Sequence, residues 1–212
     1  SFEQRPIGTV QKLLRMELGQ DFTKNTPDER KWALHKLGKL PIHILDHYGE
    51  LNSDSVVETI RFSARRYKTK IALVDHLGFL ANADGGAEER HVLESIVRKL
   101  ATIAVQDDIC IMLVCHPNNT SVYQQRRVKI SDLKGASAIR QDAHVAMVVE
   151  RAEFNEKVGF PVTTVYIDKV RSEFGNNGSS CRLAFDPISC CYGDSWEDTP
   201  TGKRGRKFTK GG

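Results

Sequence analysis

The sequence predicts an α/β fold with a mainly parallel sheet and antiparallel strands toward its C-terminal end. Three observations carry that prediction. Short apolar, β-branched runs at 71–74 and 109–115 are bounded by polar residues and separated by a long amphipathic stretch, the pattern of parallel strands joined by a helix. Helix start signals recur at Pro6, Thr26 and Asn52. After residue 140 the apolar runs follow one another with no helical pattern between them, as hairpins do.

Taken in order, Ser1, Phe2 and Glu3 read as the end of a strand. Pro6 then opens a helix with Val10, Leu13, Leu14 and Leu18 on one face. Thr26, Pro27, Asp28 and Glu29 spell a capping box with proline at the first helical position, so a second helix runs to about Leu37, where Gly38 stops it. Residues 41–46 read as a short strand. Asn52 caps a third helix that turns Val56, Val57, Ile60 and Phe62 inward. The run 71–74 reads as a strand buried on both faces, because Gly78 and the polar cluster at 82–86 stop any helical pattern. The longest helix covers about 87–104, with Val92, Ile96, Leu100 and Ile103 at helical spacing and Glu94 four residues before Arg98. A second buried strand follows at 109–115. A polar, basic stretch at 119–131 holds Gln124, Gln125, Arg126, Arg127 and Lys129. A short helix near 134–140, strands near 144–149 and 163–169, and a closing pair near 181–185 and 189–192 complete the series.

Composition bounds the rest. A chain of 212 residues, 40% hydrophobic and 27% charged, suits a globular protein with a sizeable core. One domain is expected over residues 1–195, followed by a basic tail at 196–212 that is too polar to bury itself. The net charge of +4 is mild and names no partner. The five cysteines form no Cys-x-x-Cys pair, which excludes a zinc knuckle or an ordinary disulfide framework. Four of them sit in apolar, strand-like surroundings as small hydrophobes, so a reducing compartment is expected. No apolar run approaches membrane-spanning length and no signal-peptide pattern opens the chain, so a soluble, intracellular protein with no membrane partner is expected.

Three groups of residues point to chemistry. Glu3, Asp75 and His116 each stand at the carboxyl end of a predicted strand, and in a parallel sheet such ends share one working edge. Asp75 there suits a magnesium ion; it also suits a solvated strand end. Glu3 alone reads equally as a solvated terminus, and His116 before Pro117 as a turn histidine. Their joint placement favours a site. The second group runs from Ser131 to Ala143, where Gly135, Ala136, Ser137 and Ala138 let a backbone come close and Lys134 supplies a cation. Beside the basic stretch with Arg126 and Arg127, this suits a nucleic-acid phosphate backbone; a tightly packed core helix is the other reading. The third is the strand end at 168–172, where Lys169 and Arg171 share one side, either as solvated edge charges or as an anion site.

Together these stretches resemble the C-terminal, RecA-like motor domain of ring-shaped replicative helicases, the DnaB, Twinkle and phage primase–helicase type. Ser1, Phe2 and Glu3 are similar to the family's Ser-Leu-Glu segment, whose glutamate polarises the attacking water, a role that falls to Glu3. The run ending at Asp75 resembles Walker B, which implies Mg2+ and ATP or another nucleoside triphosphate. His116 falls where Twinkle and phage members carry a γ-phosphate-sensing histidine and DnaB itself carries glutamine. Residues 131–137 look like the DNA-binding loop, with Lys134, Gly135 and Ser137 at phosphate-contacting positions. Lys169, Val170 and Arg171 match the Lys-x-Arg whose arginine reaches into the neighbouring subunit's nucleotide. The resemblance runs from Ser1 to about Gly193. It implies a P-loop NTPase core, translocation on single-stranded DNA with duplex unwinding, a homo-hexameric ring, primase or other replisome partners, and a bacterial, phage-infected or mitochondrial setting.

Two departures qualify it. The sequence contains no Gly-x-x-x-x-Gly-Lys-Ser/Thr, the phosphate cradle that normally stands just before the glutamate segment, so the chain alone is expected to be inactive. Arg140 replaces a glutamate common in DnaB-type members. A non-hydrolysing DNA-binding or assembly module on the same fold is therefore the alternative, and a RecA-type recombinase-like ATPase a third.

Overall fold

The structure is a computed structural model that describes residues 5–46, 52–78, 89–117, 127–133, 136–150, 153–157, 159–172 and 177–193. The chain divides into two compact units. The described residues within His47–Val148 and Ile167–Ser179 form the first; those within Gln4–Asp46, Val149–Tyr166 and Ser180–Gly212 form the second. The expected domain of 1–195 spans both, and its tail lies outside the described residues.

In the first unit, helix α3 (Ser53–Tyr67) leads to strand β1 (Ile71–Val74), helix α4 (Glu89–Gln106) and strand β2 (Cys110–Leu113). The Asn52 side chain accepts the Ser55 amide at 2.8 Å, the cap its sequence predicts. β1 and β2 pair in parallel, Ile71 opposite Cys110 and Val74 opposite Leu113, so the alternation of strand, helix and strand folds as expected. Val57 and Ile60 of α3, Leu93, Ile96 and Leu100 of α4, and Val74 of β1 share one buried core. A 3-10 turn (Ile130–Asp132) and helix α5 (Ala136–Asp142) close over it through Ile130, Ala138 and Ile139.

Two expectations fail here. Neither strand is buried on both faces: Ile71 and Leu73 are 61% and 64% exposed, and Met112 and Val114 are exposed beside them. Strand alternation puts these residues on the face opposite Ala72 and Val74, which alone meets the helices. Phe62 is also exposed, because two residues beyond Ile60 carries it to the far side of α3, where its ring packs edge-on against Tyr67.

In the second unit, helices α1 (Pro6–Leu18) and α2 (Pro27–Leu37) pack together. Gly19 ends α1 in the left-handed conformation, φ 71°, with its amide on the Arg15 carbonyl at 2.8 Å. Thr26 and Glu29 form the full capping box, Glu29 N–H to Thr26 Oγ1 at 3.3 Å and Thr26 N–H to Glu29 Oε2 at 2.8 Å. Gly38 does follow α2, but with helical rather than left-handed angles, so the stop comes from the turn made by Lys39 and Leu40. Residues 41–46 form no strand; their apolar side chains Ile42, Ile44 and Leu45 are exposed.

Strand β3 (Val145–Val149) precedes β4 (Glu153–Asn155), β5 (Phe160–Val170), β6 (Ser180–Asp186) and β7 (Cys191–Tyr192). β4 and β6 flank β5 in antiparallel register, Glu153 and Ala184 both opposite Val162. This is the predicted run of hairpins. The turn between β6 and β7 is pinned by a buried pair, Ser189 Oγ donating to Asp186 at 2.6 Å, and by Arg15 donating to the Pro187 and Ile188 carbonyls at 2.5 and 2.9 Å. All five cysteines are free thiols. Cys110 and Cys181 are exposed, against the expectation that strand cysteines are packed inward.

Candidate functional site

Asp75 follows β1 directly, and His116 stands three residues beyond β2. The ladder continues past both strands, Val114 N–H to the Val74 carbonyl at 2.9 Å and Leu77 N–H to the Val114 carbonyl at 3.0 Å. The two chain ends therefore leave the sheet side by side. The Asp75–His76 peptide is cis. The His76 ring meets the His116 ring edge to face, centroids 4.5 Å apart and planes at 71°. Gly78 makes room for it, since a Cβ there would lie 3.2 Å from the His76 ring. Cys115 beside them is an unreactive thiol, its pKa pushed up to about 11 by burial.

From this edge the chain passes toward the second group. Pro117 forms an isolated antiparallel bridge with Leu133, the residue before Lys134. Ser137 is half-buried on α5, while Ala138 and Ile139 enter the core, so part of the small-residue stretch does pack as a helix. Glu3, Arg126, Lys134 and Gly135 lie outside the described residues.

The third group holds α5 in place. Lys169 Nζ donates to the Arg140 carbonyl at 2.5 Å and to that of Gln141 at 3.5 Å; Arg171 also donates to the Gln141 carbonyl. Two cations thus meet the carbonyl end of a helix, where the backbone dipole favours positive charge. Burial, and then the neighbouring Arg171, holds the Lys169 amine below the ordinary lysine range, with Asp142 opposing. One residue earlier, Asp168 points to the other side of β5. It accepts from Arg127 and, at 3.3 Å, from the Ile130 amide. Sequence reasoning missed the part played by two residues. His76 was visible as the aromatic neighbour of Asp75, whereas nothing local marks Asp168, whose partner lies 41 positions away.

A groove of about 610 Å³ between α3 and α4 shares no residue with these groups. Its charges pair among themselves, as Lys99 with Asp54 at 2.7 Å, so it is a helix-packing groove and not the working edge.

A model of the DnaB-like helicase C-terminal domain matches residues 5–189. The chain belongs to that family. Over 125 residues it is 22% identical to the DNA helicase/primase of Enterobacteria phage T3, a match covering 57% of this chain and 22% of that protein. Its fold is similar to that of a DnaB-like replicative helicase solved to show its interactions with primase, at TM-score 0.75 and 17% identity, over 90% of this chain and 49% of that one. A second solved structure, of an isolated ATPase domain, aligns at TM-score 0.76 and 20% identity, over 91% and 72%. A KaiC-like protein of Pyrococcus horikoshii aligns at TM-score 0.55 and 20% identity, over 88% and 70%. The chain therefore spans under a quarter of the phage relative and about half of the DnaB-like one. The DnaB-like fold accounts for the mixed architecture: a RecA-like core with parallel strands first and antiparallel strands last.

Proposed function

We propose that this chain is the motor domain of a ring-shaped, ATP-dependent replicative DNA helicase that couples nucleoside triphosphate hydrolysis to translocation on single-stranded DNA and duplex unwinding. The observation that carries the reading is the shared edge of β1 and β2, where Asp75 and His116 leave a parallel pair together in a DnaB-family domain. Among the described residues no three His, Cys, Asp or Glu side chains converge as a metal cage. A single strand-end carboxylate nevertheless fits magnesium, which takes one or two carboxylates and completes its shell with phosphates and water. When bound, that ion would neutralise charge on the nucleotide phosphates.

The chain's own residues then divide the work. Asp75 would hold the ion, Glu3 would orient the attacking water, and His116 would sense the γ-phosphate. The bridge from Pro117 to Leu133 supports a route from His116 to the loop holding Lys134, Gly135 and Ser137, which would grip DNA phosphates with Arg126 and without reading bases. Arg127 enters this set with its guanidinium already on Asp168. Arg171, with Lys169, would leave α5 to stabilise charge on a neighbouring subunit's nucleotide, a contribution of about 10³–10⁵ in rate for arginine fingers. A finger acting in trans requires a ring, here a homo-hexamer, with a primase as replisome partner and the interior of a bacterial, phage-infected or mitochondrial compartment as its setting.

The sequence holds no Gly-x-x-x-x-Gly-Lys-Ser/Thr, which favours the second reading, a DNA-binding or assembly module that does not hydrolyse nucleotide. Nucleotide hydrolysis with and without oligothymidylate, in protein supplied with a cradle-bearing segment, separates the two. The motor reading expects DNA-stimulated turnover that Asp75→Asn abolishes; DNA binding with no turnover favours the module.

A further inference from the structure

The segment from Arg127 to Asp142 is tied at both ends to one short piece of β5. Asp168 takes its beginning: one carboxylate oxygen accepts from Arg127 and the other from the Ile130 amide at 3.3 Å. Lys169 and Arg171 take its end, through the Arg140 and Gln141 carbonyls. Alternation along the strand makes this possible, since Asp168 faces one way and Lys169 and Arg171 the other. The Asp168 side chain is only 11% exposed and that of Arg127 32%, so this is not a loose surface pair. An ion pair so enclosed fixes both partners, because losing either leaves the other charge poorly solvated.

We propose that Asp168 is a positioning residue: through Arg127 and the Ile130 amide it makes the DNA-facing loop move as one piece with the strand that carries Lys169 and Arg171. The inference rests on the motor reading above. Arg127 thereby acts as the anchor of the loop and not as a phosphate contact. When Arg171 exchanges the α5 carbonyl for an anion outside its own subunit, α5 loses a tie at one end while Asp168 keeps the other. The loop then pivots on the Asp168–Arg127 pair, which sets its direction of travel.

The test is a double-variant cycle in the cradle-supplied protein, with Arg127→Gln, Asp168→Asn and both together. It reads the ratio of turnover with and without oligothymidylate, and the slope of log affinity for oligothymidylate against log salt. Each single variant should lower the stimulation ratio about tenfold and the double variant no further, as for two residues acting through one contact. The salt slope should stay at the parent value, because no phosphate contact is lost. Multiplying losses would overturn the proposal. So would a slope reduced by about 0.7 in Arg127→Gln, the loss of one contact to a single strand. If Asp168→Asn does not fold, Arg127→Gln decides alone: lost stimulation at an unchanged slope supports the anchor, and any other combination overturns it. A parent protein that DNA does not stimulate refutes the motor reading, a result distinct from a stimulated parent with unaffected variants.

Discussion

The His76 and His116 rings meet edge to face, 4.5 Å between centroids, at the joint end of β1 and β2. His76 follows Asp75, so the contact ties the carboxylate end of one strand to the histidine end of the next. An aromatic pair of this geometry contributes about 0.5–1.5 kcal/mol beyond its buried area. His76→Ala should therefore lower DNA-stimulated kcat by about three- to tenfold on that scale, with KM for nucleotide little changed. His76→Phe should restore most of it. A change confined to KM would show that His76 acts in nucleotide binding and not through His116.

The buried core predicts stability directly. Leu93 and Ile96 are almost fully buried on α4 between α3 and the sheet. Leu93→Ala should cost about 2–5 kcal/mol in chemical denaturation, the range for truncating a packed leucine. The exposed Leu73→Ala should cost far less, and an equal loss at Leu73 would mean that the open face of β1 is covered in solution.

The capping box of α2 gives a pH-dependent term. The Thr26 amide, first, and then its hydroxyl hold the Glu29 carboxyl below the ordinary glutamate range. A depressed carboxyl pKa stabilises the fold above the unfolded-state value and loses that contribution as pH falls through the folded one. Thr26→Ala should cost about 1 kcal/mol at neutral pH, as loss of an N-cap does. The gap between variant and parent should narrow once the pH drops below the ordinary glutamate range.

Thiol reactivity separates the cysteines. Burial raises Cys115 from an ordinary 9.0 to about 11, while Cys110 and Cys181 are exposed. Two units of pKa mean about a hundredfold less thiolate at mildly alkaline pH. Iodoacetamide followed by peptide mass spectrometry should find Cys110 and Cys181 labelled well before Cys115.

These features were unequally legible in the sequence. The caps at Pro6, Thr26 and Asn52, the run ending at Asp75 and the core stripe of α4 are local patterns, so residues a few positions apart reveal them. Short strands were read correctly in place but not in burial, since a run such as 71–74 looks alike whether one face or both are covered. Residues 41–46 fail for a related reason: β-branched content alone makes no strand where no partner strand pairs with it among the described residues. At the site, the sequence foretold which residues stand at strand ends, and Asp75 and His116 do leave the sheet together. The pairing of Arg127 with Asp168, and of Lys169 and Arg171 with α5, depends on contacts between distant segments that no local pattern encodes.

In the proposed motor, Arg171 completes the nucleotide site of the next subunit. That is tested most directly by mixing parent and Arg171→Ala protein, both supplied with the cradle segment, at fixed total concentration and measuring DNA-stimulated hydrolysis. A finger acting in trans around a ring predicts about a thousandfold loss or more for the pure variant. In the mixtures, turnover should then fall faster than the parent's share. Turnover that falls in strict proportion to that share, or a variant as active as the parent, would contradict it.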